Sequence, residues 1–198
     1  MPSALLSPVL ALAAASSLMA CAGTGLPTAT PTPMTPAGSS ALAIECDGVP
    51  TPPQTEGPYY KTGSPERRSL AGEGGGTLLT IRGAVTDEAC NPIAGAWVDF
   101  WQTDATGNYD NNGFGMRGHQ YTDSSGRFSL ETVLPGRYPG RPPHIHVKVR
   151  APGGPVLTTQ LYFADSGSVD AGVNPALLVD TTPEAGGIGG NFTFVLRP

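Results

Sequence analysis

Gly126-Arg127-Phe128-Ser129-Leu130-Glu131-Thr132-Val133 alternates side-chain character with period two, setting Phe128, Leu130 and Thr132 against Ser129, Glu131 and Val133. Successive side chains of an extended chain point to opposite faces, so the stretch reads as a β-strand with one buried face. The residues before it, Asp123-Ser124-Ser125-Gly126, supply side-chain acceptors and a glycine suited to reversing the chain. Asp87-Glu88-Ala89-Cys90-Asn91-Pro92 has the same chemistry. Outward from there, short runs rich in β-branched or aromatic residues occupy 77–85, 96–102, 144–149, 158–163 and 191–196. No stretch keeps apolar residues at i, i+3, i+4 and i+7 through successive turns without a Gly or Pro, so the predicted fold is all-β, a β-sandwich.

The chain has 198 residues and a formal net charge of -5, with its basic residues scattered. No basic stripe is present to track a phosphate backbone, which excludes nucleic acid as the expected partner. Leu5 to Met19 is apolar but too short to span a bilayer, and it ends in Leu18-Met19-Ala20-Cys21. Residues 1–22 therefore read as a signal peptide whose end resembles a bacterial lipobox. Cleavage there would leave Cys21 as the lipid-bearing N-terminus and tether the protein to a membrane of the cell envelope. Ala20-Cys21-Ala22 also suits an ordinary A-x-A cleavage site, and no Lys or Arg precedes the apolar run, so a periplasmic or secreted form stands as the alternative. Residues 23–44, with Pro27, Pro31, Pro33 and Pro36 among Thr, Gly and Ala, read as a solvated tether, leaving 45–198 as the folded domain. Cys46 and Cys90, an even pair in an exported chain, are expected to form a disulfide.

Arg141-Pro142-Pro143-His144-Ile145-His146-Val147-Lys148-Val149 interrupts an apolar alternation with two histidines at i and i+2. On a strand both imidazoles point to one face. Such proximity favours neutral rings, and neutral imidazole is the commonest transition-metal ligand. The pair alone is weak, because two histidines on a solvated face need no metal. An ordinary zinc set is poorly served: His119 is the one other histidine, and no carboxylate stands at ligand spacing. A third imidazole from His119 stays open. Tyrosine is the alternative hard donor, with Tyr138 in Pro135-Gly136-Arg137-Tyr138-Pro139-Gly140 and Tyr109 after Gly107-Asn108, both in loops. A free phenol with a pKa of about 10 is a poor ligand at neutral pH, but a trivalent metal stabilises the phenolate directly.

Taken in order, the segments are similar to the intradiol ring-cleavage dioxygenases, the family of catechol 1,2- and protocatechuate 3,4-dioxygenases. The resemblance starts at Thr51-Pro52-Pro53-Gln54-Thr55-Glu56-Gly57-Pro58-Tyr59-Tyr60 and runs through Gly83-Ala84-Val85-Thr86-Asp87, Trp101-Gln102-Thr103-Asp104 and Gly107-Asn108-Tyr109. It continues with Arg117-Gly118, Gly126-Arg127-Phe128, Pro135-Gly136-Arg137-Tyr138, the H-x-H strand and Thr159-Gln160-Leu161-Tyr162-Phe163. It implies a prealbumin-like sandwich in which Tyr109, Tyr138, His144 and His146 bind one non-haem Fe(III) per chain. It implies further that a catechol-type substrate displaces the ligand matching Tyr138, which then accepts a proton, and that O2 is the co-substrate. Arg141 and Gln160 match positions near the substrate, and Tyr59, Tyr60 and Tyr162 are candidate pocket lining. Of Trp97 and Trp101, at least one is expected to pack in the core.

Two other readings use the same residues. Gly83–Asp87, Pro92-Ile93-Ala94-Gly95-Ala96 and Thr122–Phe128 also resemble prealbumin-like modules of surface proteins, which would make this a non-catalytic binding module of the cell envelope. A copper or zinc carrier would keep the imidazoles but gains little from two tyrosines. Fold alone does not separate these readings, so the site must.

Overall fold

The computed structural model describes residues 44–164 and 170–197. The leader, Cys21 and nearly all of the tether lie outside the described residues. Eight strands form: β1 (Leu78–Asp87), β2 (Trp97–Gln102), β3 (Arg117–Tyr121), β4 (Arg127–Val133), β5 (His144–Arg150), β6 (Leu157–Tyr162), β7 (Thr181–Glu184) and β8 (Gly187–Leu196). They make two four-stranded sheets, ordered β4-β1-β8-β7 and β3-β2-β5-β6. β1 and β8 pair in parallel; every other ladder is antiparallel. Helical structure among the described residues is one 3-10 turn, Pro175–Leu177.

The inward residues of the two sheets close one core: Leu79, Ile81, Val85, Phe128, Leu130 and Phe194 from the first, Val98, Phe100, Ile145, Val147, Val149 and Leu161 from the second. The alternation expected in β4 holds from Phe128 to Thr132, with Phe128, Leu130 and Thr132 buried and Glu131 exposed, but Val133, expected on the outer face, is buried as well. Both expected turns use their aspartate. Asp87 Oδ1 accepts from the Ala89 and Asn91 amides at 2.9 Å each, and Asp123 Oδ1 accepts from Ser125 (2.8 Å) and Arg127 (2.9 Å).

Two strands carry no apolar alternation. β3 reads Arg-Gly-His-Gln-Tyr, and its inward Gln120 side chain donates to the Ser129 carbonyl of the opposite sheet at 2.9 Å. β7 is exposed throughout and contains Pro183, which suits an edge strand.

The segment 51–70 works as a strap. It pairs with the free edge of β6 (Gln54 N to Thr158 O, 2.9 Å), then of β3 (His119 N to Pro65 O, 3.0 Å), then of β4 (Leu70 N to Glu131 O, 2.7 Å). Unpaired sheet edges are templates for aggregation, so this course protects three of four edges. Between β6 and β3 it crosses the outward face of the second sheet. Its start is fastened by the disulfide Cys46–Cys90, with Cα atoms 5.8 Å apart, and by Thr51, whose hydroxyl accepts from Val195 N at 2.9 Å.

The disulfide closes a loop with a sequence separation of 44, so Cys46→Ser with Cys90→Ser should lower unfolding free energy by about 2–4 kcal/mol. Urea titration of both proteins under non-reducing conditions checks this; an unchanged midpoint would contradict it.

Candidate metal centre

β5 divides its side chains between two faces. Ile145, Val147 and Val149 enter the core, while His144 and His146 face outward beneath the strap, 3% and 2% exposed. Across the ladder His146 stands between Trp101 on β2 and Gln160 on β6. His144 Nδ1 lies 2.7 Å from the Pro142 carbonyl, which makes Nδ1 the protonated nitrogen and leaves Nε2 as an acceptor. The two Nε2 atoms are 3.1 Å apart, so they converge on one point. Trp101 lies flat on His146 at 4.7 Å with an 8° interplanar angle. Burial pulls the His144 pKa down to about 4; burial, with His144 and Arg141 adding to it, pulls His146 down to about 2.

Both tyrosines come from loops that share a backbone seam. Gly136 N donates to Asp104 O at 2.8 Å, and Thr103 Oγ1 donates to Gly136 O at 2.9 Å. A Cβ on Gly107, whose φ is +90°, would lie 2.1 Å from Arg137 O, and one on Gly136 would lie 2.3 Å from Gly107 N. This closeness sets the Tyr109 and Tyr138 rings 5.8 Å apart, with Tyr138 5.6 Å from His144 and Tyr109 6.4 Å from His146. The Tyr109 hydroxyl is buried and completes no hydrogen bond among the described residues, although Tyr138 lies beside it. Burial, then the neighbouring Tyr138, pushes the Tyr109 phenol well above its ordinary range, while Arg141 and Arg117 act in the opposite direction.

The strap supplies a roof. A Cβ on Gly57 would sit 3.4 Å from His146 Cε1. Tyr59 stacks on Tyr109 at 4.3 Å, and Tyr60 leans on Trp101 at 4.8 Å. Arg117, 1% exposed, donates to Tyr59 O (2.6 Å) and Asp110 O (3.2 Å), tying the roof to the Tyr109 loop. On the other side Arg141 Nη2 donates to Gln160 Oε1 at 2.5 Å, the Tyr162 hydroxyl donates to the same oxygen at 2.8 Å, and Gln160 Nε2 donates to Thr55 O at 2.7 Å. A cavity of about 660 Å³ opens at Arg137, Tyr138, Arg141 and Asp170. A larger groove of about 790 Å³, lined by Val49, Arg82 and Asn191, holds none of the candidate ligands, so donor chemistry rather than volume locates the site.

A family model described as Dioxygenase matches residues 55–142. The chain is 32% identical to a chlorocatechol 1,2-dioxygenase of Pseudomonas sp. over 178 residues, covering 73% of this chain and 70% of that protein. It is 31% identical to a 6-chlorohydroxyquinol 1,2-dioxygenase of Cupriavidus pinatubonensis, covering 75% of this chain and 65% of that one. The dioxygenase domain of a dioxygenase carbohydrate-binding protein fusion from Streptomyces sp. SirexAA-E superposes with a TM-score of 0.70 at 51% identity, covering 75% of this chain and 98% of that chain. The chain belongs to the intradiol ring-cleavage dioxygenase family. It spans from about half to 70% of the length of the curated relatives it matches, 46% for a catechol 1,2-dioxygenase of Acinetobacter guillouiae. Members of this family use non-haem iron, and the donor set here suits it. Among the described residues no three His, Cys, Asp or Glu side chains gather, so an ordinary zinc set is missing. Two neutral imidazoles and two phenols, one with an orphaned buried hydroxyl, instead fit a small trivalent cation that stabilises phenolate.

All four sequence-derived ligand candidates of the intradiol dioxygenase pattern are brought together, as are Arg141 and Gln160. His119 is not: its Nδ1 bonds to Ser64 O at 2.7 Å, and its ring lies 6.3 Å from Trp97. Trp101 packs under the candidate ligand His146 rather than in the sandwich core, because it shares the outward face with it. Gly57, Arg117 and Trp101 lay within the quoted motif segments, but a segment match carries no role for its members.

Gly107→Ala should force the two tyrosine loops apart, lowering Tm by several degrees for a cost of about 2 kcal/mol. Calorimetry with iron stoichiometry checks it, both being expected to fall. In the metal-free protein, both histidine pKa values lie below the ordinary 6.5. The unfolded chain then binds more protons, so stability is full above about pH 6.5 and falls as pH drops toward 4. Denaturation midpoints across that window should decline, and less steeply in His144→Gln.

Proposed function

We propose that the protein is a non-haem Fe(III)-dependent intradiol dioxygenase that opens a catechol-type ring between its hydroxyl-bearing carbons with O2, giving a muconate-type diacid. The observation that carries this reading is the convergence of Tyr109, Tyr138, His144 and His146 around one point, with facing Nε2 atoms 3.1 Å apart. These four residues would hold the ion. When bound, Fe(III) supplies Lewis acidity and an electron sink toward a chelating catecholate. Tyr138, partly exposed at the cavity mouth, would accept a substrate proton, whereas Tyr109 is held by its stack on Tyr59. Arg141, oriented by Gln160, faces the same space and would stabilise negative charge developing on the substrate. The roof formed by Gly57, Tyr59 and Tyr60 limits water access. A non-catalytic prealbumin-like module has no use for two buried imidazoles beside an orphaned phenol.

The further proposal on location is export to the cell envelope, with residues 1–22 as leader, lipid at Cys21 and residues 23–44 as tether. The substrate would then be an aromatic met outside the cytoplasm.

The visible spectrum of the purified, iron-loaded protein tests the reading. A broad tyrosinate-to-iron band should shift on anaerobic addition of catechol, and O2 uptake should follow on admission of air. Tyr109→Phe and His146→Ala should each cut bound iron and O2 uptake by about 100-fold. A colourless protein that rejects iron, or a variant retaining full iron and turnover, would falsify the ligand assignment.

A further inference from the structure

Asp99 lies outside the machinery just described, yet it is 2% exposed. It stands on the outward face of β2, two residues before Trp101, opposite His119 on β3 and Lys148 on β5. Its side-chain partners belong to the strap. Ser64 Oγ donates to Asp99 Oδ1 at 2.7 Å, and the Tyr60 hydroxyl donates to Oδ2 at 3.3 Å. His119 reinforces the same anchor from the neighbouring strand through Ser64 O. Burial, then Asp99, pushes the Tyr60 phenol up to about 12, which keeps it a donor. Lys148 completes the surroundings, with Nζ 4.5 Å from the Tyr60 ring centroid and an ion pair to Glu56 at 2.5 Å.

Burying a carboxylate is costly, and apolar contacts would suffice merely to cover a sheet. What directed hydrogen bonds add is a fixed orientation for residues 59 and 60. Two contact routes lead from there to the candidate ligands. Tyr60 rests on Trp101, which stacks on His146, and the adjacent Tyr59 stacks on Tyr109 while its carbonyl is held by Arg117. We propose that Asp99 is a positioning residue that clamps the strap through Ser64 and Tyr60, and thereby sets the roof over the iron site and the seat of Tyr109 and His146. The inference rests on reading those residues as iron ligands.

Asp99→Asn keeps the shape but replaces one acceptor oxygen with an amide that cannot receive the second hydroxyl; Asp99→Leu removes both acceptors. In the metal-free full chain, backbone amide exchange over residues 55–64 should quicken by about tenfold in Asp99→Asn, with exchange in β5 unchanged. In the iron-loaded protein the tyrosinate band should shift, and KM for catechol should rise about fivefold with kcat altered less than about twofold. Ser64→Ala and Tyr60→Phe should each reproduce part of these effects. A variant that only melts at lower temperature, with strap exchange, band and KM all as in the parent, would reduce Asp99 to a structural anchor and overturn the proposal. Should the parent protein itself take up no iron, the proposed function fails, while the exchange comparison in metal-free protein still decides the clamp.

Discussion

Two imidazoles and a phenol hydroxyl are buried on the wrong side of a sheet, away from the sandwich core, and that cost organises the rest of the molecule. One face of an antiparallel sheet is ordinarily solvated. Here the outward face of β3-β2-β5-β6 buries Asp99, Trp101, Arg117, His144, His146 and Gln160. Tyr109 Oη, His146 Nδ1 and Trp101 Nε1 complete no hydrogen bond among the described residues. Unsatisfied buried polar atoms in a native fold call for an explanation, and a cation held by the facing imidazole nitrogens would take up one of these three, the Tyr109 phenol oxygen.

The strap follows from that arrangement. Covering a face that carries polar rings requires a segment able to bond as well as to pack. Residues 51–70 do both, through backbone pairing at three sheet edges and through Tyr59, Tyr60 and Ser64 over the face between them. The disulfide Cys46–Cys90 fastens the chain just before this segment to the turn after β1.

Charge is arranged with comparable economy. Arg117 and Arg141 approach the site while bonding to neutral oxygens, the former to Tyr59 O and Asp110 O, the latter to Gln160 Oε1. Guanidinium groups held by carbonyls and an amide keep their positive field, and both lower the cost of ionising Tyr109. The same field favours an anion over a neutral molecule beside Tyr109.

The outward pairing of His144 with His146 was legible from the local period of β5 alone, as was the use of Asp87 and Asp123 in their turns, because strand parity and turn chemistry depend on neighbours within a few residues. The order of motifs along the chain likewise marked Tyr109 and Tyr138. β3 and β7 were not legible, since Arg117–Tyr121 hides a polar outward face and an inward glutamine, and Thr181–Glu184 is an exposed edge. Nor were the roles of Trp101, Asp99, Arg117 and Gly57, each of which depends on a partner dozens of residues away. By itself the sequence determined which donors the chain carries and which face of their strand they share. Only the tertiary structure decided that His119 stays out of the site, that two glycines bring the tyrosine loops together, and that the strap closes over them, because those outcomes come from backbone approach between distant segments.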